Sequence, residues 1–108
     1  MSLHAVMAAA VAAITLAASP ESPAEHQREP ERIVKETCSL CHATGMGGAP
    51  KIGDRTAWEK RLRVGLEGLV RSASQGRGAM PVRGGVPDLT DDELRAAIRY
   101  MAESPAHR

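Results

Sequence analysis

The sequence is poor in aromatic residues: its 108 residues include no phenylalanine, one tryptophan and one tyrosine. Small domains bury little apolar surface, so they commonly depend on a disulfide network, a metal or a large cofactor for stability. Cys38 and Cys41 are the only cysteines, which excludes a disulfide framework. The composition therefore predicts one compact domain in which something other than side chains fills much of the interior.

The sequence also lacks an apolar run long enough to cross a bilayer comfortably. The longest run, residues 5–18, has the length of the hydrophobic region of a secretory signal, and the small-x-small site Ser22-Pro23-Ala24 follows it. We therefore predict a signal peptide over residues 1–24, export to the periplasm and a mature domain over residues 25–108. Because no Lys or Arg precedes the run, an uncleaved membrane anchor is the alternative.

The charge is nearly balanced, since the formal net charge is +1, and it names no partner. Locally, however, residues 60–83 contain six basic residues and a single acidic one, Glu67. This stretch predicts docking of an acidic protein surface, with a merely solvated face as the alternative. Its basic residues are not interleaved with aromatics, so no nucleic-acid partner is expected. They are Lys60, Arg61, Arg63, Arg71, Arg77 and Arg83.

No segment alternates at a period of two, and no internal repeat is present. One helix is predicted from Pro30 toward Cys41, a second after the cap residue Asp54 through Leu62, and a third over residues 66–74, before Gly76. The last helix follows a capping box, Thr90 to Glu93, and ends near residue 103. All ten glycines lie between residues 45 and 85. The pattern predicts an all-α fold of about four short helices joined by glycine-rich loops.

The chemistry is carried by the pentapeptide Cys38-Ser39-Leu40-Cys41-His42. Two thiols on one helical turn can reach the two vinyl groups of one haem, and the adjacent imidazole then supplies the proximal ligand to its iron. The rival interpretations are a thioredoxin-like couple, half of a zinc site, or chance. The first needs βαβ surroundings, which are absent, and zinc needs two more ligands, which His4, His26 and His107 do not provide at suitable spacing.

A low-spin haem carrier needs a second axial ligand on the opposite face. Met80 is the best candidate, because it lies in the loop Gly78-Ala79-Met80-Pro81, 38 residues after His42, and can reach the other side of the porphyrin. Met46 is only four residues from His42, and Met101 belongs to the apolar stripe of the last helix. Ligation by His26 or His107 remains an alternative, although both lie near chain ends.

With this motif placed, residues 30–102 resemble the class I cytochromes c, and more closely the small bacterial c5-type group. The resemblance depends on an ordered set of motifs: the haem pentapeptide, Gly48-Ala49-Pro50-Lys51-Ile52-Gly53-Asp54, Trp58, Gly78-Ala79-Met80-Pro81, Arg83-Gly84-Gly85, and the last helix. The sequence departs from the group in three ways. It lacks the second cysteine pair of some members, Val82 replaces a frequent second proline, and Met46 stands where a small residue is usual.

The resemblance implies roles for three further residues. The Pro50 carbonyl would accept a hydrogen bond from the ring of His42, Trp58 would pack beside the haem and donate to a propionate, and Tyr100 would pack across the first helix. It also implies a single-domain class I cytochrome c fold around one haem c.

The expected function is that of a monomeric one-electron carrier between periplasmic or membrane-bound redox proteins, which dock transiently at the haem edge. With both axial positions filled, no enzymatic activity is expected. Two alternatives remain open: a haem sensor or peroxidase-like domain with a labile distal Met80, and the electron-entry subunit of a larger oxidoreductase. Contact with a membrane is expected only if the N-terminal segment stays uncleaved.

Overall fold

The architecture is helical throughout the part of the chain that the structure, a computed structural model, describes: residues 2, 4–5, 7–15 and 27–105. The first helix is a continuous series of three segments, Pro30–Ile33, Val34–Cys38 and Ser39–His42. The second, third and last helices span Arg55–Leu62, Leu66–Gln75 and Asp91–Glu103. Across these residues there is an isolated bridge between Arg77 and Met80 but no strand. The predicted all-α class is confirmed.

The helices begin and end where the sequence predicts them to. Pro30 opens the first helix, where its missing N–H costs nothing. The Asp54 carboxylate accepts from the backbone N–H of Ala57 at 3.1 Å and so caps the second helix. The last helix begins with both bonds of the capping box, from Glu93 N to Thr90 Oγ1 at 3.1 Å and from Thr90 N to Glu93 Oε1 at 3.0 Å.

The first helix contains a feature that periodicity did not predict, a π-helical segment over Val34–Cys38. At its end the Ser39 N–H donates to the Val34 carbonyl, five residues back instead of four. The Ser39 hydroxyl donates to the next carbonyl, that of Lys35, at 2.6 Å. In an α-helix the Ser39 N–H would bond to the Lys35 carbonyl, but here it bonds to Val34. The Ser39 hydroxyl thus provides a donor to the Lys35 carbonyl in its place.

The core lies where the first, third and last helices meet. Its only buried large aromatic side chain is Trp58, in the second helix, among aliphatic residues. The apolar stripe of the last helix, to which Met101 was assigned, is buried and consists of Leu94, Ala97, Ile98 and Met101. Ile33 and Val34 bury the facing side of the first helix, and Leu69, Val70 and Ala73 that of the third.

A polar contact that the sequence did not reveal joins the start of the domain to the last helix. Glu93 is only 3% exposed, and its Oε2 accepts from the Arg28 Nε at 2.6 Å and from the Arg28 backbone N–H at 3.0 Å. Oε1 accepts from the Arg28 Nη2 at 2.9 Å. These hydrogen bonds from Arg28, assisted by those to the backbone of Thr90 and Arg28, lower the pKa of Glu93 from 4.5 to about 2.

The predicted signal peptide falls largely outside this description. Residues 7–15 are exposed and have no regular secondary structure, and the expected cleavage site after Ala24 lies outside the described residues. None of the helices described is long and apolar enough to cross a membrane.

Candidate cofactor site

The C-terminal half of the first helix brings together three of the four predicted site residues. Cys38 and Cys41 are half-buried free thiols, and His42 is 9% exposed. Cys38 packs against the core, and this burial raises the pKa of its thiol from 9.0 to about 11. At neutral pH the thiol of Cys38 is therefore protonated.

Two observations argue against the rival interpretations of the cysteine pair, a thiol–disulfide couple and a zinc site. Thiol–disulfide enzymes lower the pKa of the attacking cysteine, whereas the surroundings of Cys38 raise it. A zinc site needs further ligands, and no group of three or more His, Cys, Asp or Glu side chains comes together in the described part of the chain.

The loop after the first helix fixes the ring of His42. Its Nδ1 lies 2.8 Å from the Pro50 carbonyl oxygen, as the family resemblance implied. Since a carbonyl only accepts hydrogen bonds, Nδ1 carries a proton, and in the neutral ring the lone pair is on Nε2. A second bond, from Ile52 N to the His42 carbonyl at 2.9 Å, ties the same loop to the helix end. The arrangement leaves Nε2 ready to bind a metal, with the ring orientation set by Pro50.

Trp58 supports His42 from the second helix. The two rings stack with centroids 5.8 Å apart and an angle of 19° between their planes. The indole N–H donates to the Lys51 carbonyl at 2.8 Å. The indole has a single donor, and Lys51 engages it here, so the bond to a propionate stays a prediction. Trp58, at 4% exposure, is a core residue that packs on His42 and pins the loop of Lys51.

Met80, the fourth predicted site residue, lies half-buried against the same core cluster as Cys38. Its backbone is held in a tight turn by two bonds to Arg77, N–H to carbonyl at 2.8 Å and carbonyl to N–H at 3.0 Å. The loop of Met80 also contacts the loop that follows His42. A Cβ placed on Gly47 would lie 2.9 Å from the Cβ of Ala79.

The other sulfur and imidazole candidates lie elsewhere. Met46 is 62% exposed, and Met101 is 3% exposed within the core stripe of the last helix. Tyr100 is half-buried and, with Pro30, lines a cleft between the first and last helices, in keeping with the structural role implied for it. His26 and His107 lie outside the described residues.

The residues present fit a covalently bound haem. Two free thiols and an imidazole with a free Nε2 follow one another along half-buried helical turns, and no hydrogen bond occupies that Nε2 within the described structure. The loop that follows His42 approaches the loop of Met80 at Gly47, where a Cβ would collide with Ala79.

Comparison with known proteins agrees with this site. Residues 25–101 match the family model described as cytochrome c oxidase, cbb3-type, subunit III. The chain is 44% identical over 77 residues to cytochrome c5 of Ectopseudomonas mendocina, covering 69% of this chain and 88% of that protein. It is 42% identical over 69 residues to cytochrome c-555 of Chlorobaculum thiosulfatiphilum, covering 60% of this chain and 80% of the relative.

Two solved structures share the fold. One is a mono-haem ferrocytochrome c from Shewanella putrefaciens, with a TM-score of 0.65 and 39% identity over 71% of this chain and 95% of the other. The second, a cytochrome c in an electron transfer complex with nitrite reductase, has the same TM-score and identity and covers 71% and 94% of the two chains. The chain therefore belongs to the class I cytochrome c family, beside the bacterial cytochromes c5, and is a small electron carrier with one covalently bound haem c.

Proposed function

We propose that this protein carries single electrons between redox proteins through a haem attached to Cys38 and Cys41 and bound axially by His42 and Met80. The observation that carries the proposal is the hydrogen bond between His42 Nδ1 and the Pro50 carbonyl, 2.8 Å long, which directs the lone pair of Nε2 away from that loop. The haem, when bound, supplies iron that alternates between the ferrous and ferric states. The protein holds the ligands unchanged between the two states.

Each side chain of the proximal half has a distinct task. The two cysteines would make attachment permanent, so binding would not depend on affinity alone. Pro50 fixes the tautomer and the orientation of His42, and its hydrogen bond makes the imidazole a more basic ligand. Trp58 stacks on the imidazole and restricts its rotation. This restriction keeps the reorganisation energy of electron transfer small.

Met80 is the distal ligand in this proposal. Its loop is anchored at Arg77 and approaches the loop that follows His42 at Ala79 and Gly47. Met101 is committed to the core, and Met46 points largely to solvent. Most methionines are flexible core filler, but the loop of Met80 has no helical stripe to fill.

Two strong axial ligands leave no iron position for a substrate, so we propose that the chain is not itself an enzyme. The sensor or peroxidase-like alternative requires Met80 to be replaced easily. The electron-entry alternative has one observation in its favour, since the matching family model is described as an oxidase subunit. Against it, the chain covers 88% of cytochrome c5 and 94% of the cytochrome in the nitrite reductase complex.

The decisive experiment is the absorption spectrum of Met80→Ala. The holoprotein should show low-spin bands in both redox states and a weak far-red band in the ferric state, which arises from thioether ligation. Met80→Ala should keep the covalent haem but lose that band and show a lower potential, because neutral sulfur favours ferrous iron. Axial ligation moves haem potentials over about 0.8 V in total, so the shift should be clear.

Two other methionines serve as matched controls. Met46→Ala and Met101→Ala should both retain the far-red band, the second with lower stability because it opens a core cavity. A band that survives Met80→Ala but disappears in Met46→Ala would show the distal assignment to be wrong. A high-spin ferric spectrum of the unaltered protein would favour the sensor.

We further propose that residues 1–24 are a signal peptide and that residues 25–108 act in the periplasm as a monomer. The small-x-small site before residue 25 supports cleavage there. Mass spectrometry of the protein from a periplasmic extract should give a chain that begins at Glu25 with one haem. A haem protein recovered only in the membrane fraction, with residue 5 still present, would indicate an anchor.

For the docking surface we propose an acidic redox partner. The structure reduces the basic set, because Arg83 pairs with Asp91 at 2.9 Å and Arg61 donates to the Gly48 carbonyl at 3.1 Å. The exposed basic residues that remain are Lys60, Arg63, Arg71 and Arg77. The cytochrome c solved with nitrite reductase shows that a relative of this fold docks on a redox enzyme.

Charge steering predicts how the transfer rate depends on salt. The rate with an anionic partner should fall as ionic strength rises, because screening shortens the range of attraction. Reversing two of the exposed charges, with Lys60→Glu and Arg63→Glu, should flatten that dependence. A rate that is flat or rises with salt in the unaltered protein would contradict the basic docking face.

A further inference from the structure

We propose that Arg83 is a positioning residue for Met80: its side chain clamps the loop of residues 76–85 to the start of the last helix and so keeps the methionine in place. This inference depends on the proposed function, because it takes Met80 as the distal ligand. Pro81 is the only proline in this loop, so the backbone beyond it needs another source of rigidity. The structure assigns that task to Arg83.

The backbone at Arg83 adopts a conformation that arginine seldom takes. With φ of 51° and ψ of 35°, Arg83 is the only non-glycine residue of positive φ in the described segments. Gly84 and Gly85 continue the left-handed turn with φ of 65° and 87°. A left-handed conformation costs energy for a residue with a Cβ, so it persists only where other contacts impose it. A glycine would fit this position without that cost.

The contacts that impose it come from the guanidinium. Nη1 of Arg83 donates to the Leu89 carbonyl at 2.7 Å and lies 2.9 Å from the Asp91 carboxylate. The side chain is 25% exposed, so water screens this pair only partly. Leu89 is itself 3% exposed and packs in the core, immediately before the cap of the last helix. The guanidinium therefore ties the turn to a fixed part of the fold.

The clamped turn is continuous with Met80. Gly84 N donates to the Pro81 carbonyl at 3.1 Å, so a single turn connects the clamp to the residue after the methionine. On the other side, Gly76 lies so close that a Cβ there would be 3.1 Å from the Met80 carbonyl oxygen and from Val82 N. The bridge to Arg77 fixes one arm of the loop, and Arg83 fixes the other.

A third contact connects the turn to the attachment helix. A Cβ on Gly84 would lie 3.2 Å from the Cγ2 of Thr37, which immediately precedes Cys38. The turn that Arg83 holds thus lies between the cysteine-bearing helix and the last helix. Release of the guanidinium would loosen the arm of the loop that leads directly to Met80, whereas the bridge at Arg77 would remain.

The experiment measures how readily imidazole replaces the methionine in the ferric holoprotein. Imidazole binding is monitored in a stopped-flow spectrometer through the loss of the far-red thioether band. Neutral imidazole is suitable because it has no charge for an arginine to repel or attract. Arg83→Ala should raise both the apparent binding rate and the affinity roughly tenfold, because charge-assisted hydrogen bonds no longer oppose loop opening.

Three variants separate the clamp from other effects. Arg83→Gly removes the clamp and the backbone cost together, so its binding rate should lie between those of the unaltered protein and Arg83→Ala. Asp91→Asn removes one of the two partners and should give a smaller increase than Arg83→Ala. Arg95→Ala, which breaks exposed pairs with Glu67 and Asp92 away from this loop, should lower stability without altering imidazole binding.

The possible failures are distinguishable. If Met80→Ala keeps the far-red band, the proposed ligation fails, and the inference fails with it. If Met80→Ala loses the band but Arg83→Ala binds imidazole like the unaltered protein, Met80 is the ligand and Arg83 does not position it. If Arg83→Gly binds imidazole more slowly than the unaltered protein, the backbone conformation rather than the side chain controls the loop.

Discussion

The helices and the glycine-rich loops of this protein are held by different kinds of contact. The first and last helices meet through a buried apolar stripe and through Glu93, a carboxylate that accepts three hydrogen bonds from Arg28. The loops of residues 43–53 and 76–85 depend on scattered backbone bonds, positive-φ glycines and a few long side chains. The helices provide a frame of their own, whereas the loop that follows His42 and the loop that contains Met80 have no such frame.

The largest test of this comparison removes the cofactor. The double variant Cys38→Ala, Cys41→Ala, expressed without haem, should have no cooperative thermal transition and no near-UV circular dichroism. The reason is that one buried large aromatic and a small set of aliphatic residues cannot close a core around an empty slot. Residual far-UV helical signal is expected, since the last helix has its own capping box. A cooperative transition with near-UV structure would show that the loops fold without haem.

The second test weakens the frame at Glu93. Its pKa in the folded protein, about 2, lies below the value of about 4.5 for the unfolded chain, so its contribution to stability is present above pH 4.5 and is lost as the pH falls toward 2. That difference corresponds to about 3 kcal/mol at neutral pH. In denaturant unfolding of the holoprotein, Glu93→Gln should lose about this much at pH 7, and much less near pH 2.

Glu67→Gln is the matched control for Glu93→Gln. Glu67 also forms two hydrogen bonds with an arginine, Arg95, but its side chain is 62% exposed. Water screens that pair, so its loss should be clearly smaller and should fall with added salt. Equal losses for the two variants would mean that burial of Glu93 adds nothing to the frame.

Elements with local signals were predictable from the sequence. The capping box at Thr90, the cap at Asp54 and the stop at Gly76 each act within a few residues, so their helices were predicted nearly to the residue. Within the site, the attachment pentapeptide is identified by the spacing of its two cysteines and its histidine alone. The hydrogen bond from His42 to Pro50 came from family resemblance and is confirmed.

The partners that long polar side chains select in the packed fold were not predictable. Glu93 was expected as part of a capping box, but its partner Arg28 lies 65 positions away in the sequence. Arg83 had been assigned to a docking face, yet its guanidinium is turned toward Leu89 and Asp91. The indole of Trp58 donates to the Lys51 carbonyl, a partner that the sequence did not reveal. In each case the side chain had several chemically suitable partners, and only the packed fold selects one.

The third test compares two neighbouring glycines in the loop after His42. Gly47 and Gly48 both have positive φ, 65° and 81°, but only Gly47 would bring a Cβ against Ala79, at 2.9 Å. Gly48→Ala should therefore cost about 1 kcal/mol, from the backbone alone. Gly47→Ala should cost roughly 2–3 kcal/mol in holoprotein unfolding and should weaken the far-red band, because the two loops are pushed apart. Equal costs would show that the loops do not meet there.

The smallest effect concerns the π-helical segment that joins the frame to the attachment site. The Ser39 hydroxyl donates to the Lys35 carbonyl at 2.6 Å, while the Ser39 N–H is bonded five residues back. In the regular third helix, Ser74 Oγ likewise donates to the Arg71 carbonyl at 2.8 Å, but such a carbonyl also has a backbone donor four residues on. Alanine is a better helix former than serine by up to about 0.5 kcal/mol, so Ser74→Ala should be neutral or slightly stabilising. Ser39→Ala gains the same preference but loses a hydrogen bond worth about 1 kcal/mol, so it should be destabilising by about 0.5 kcal/mol.

The two variants should thus differ in sign in denaturant unfolding of the holoprotein, and Ser39→Thr, which keeps the hydroxyl, should recover part of the loss. If Ser39→Ala is as stable as Ser74→Ala, the backbone of the π-helical segment needs no help from the side chain.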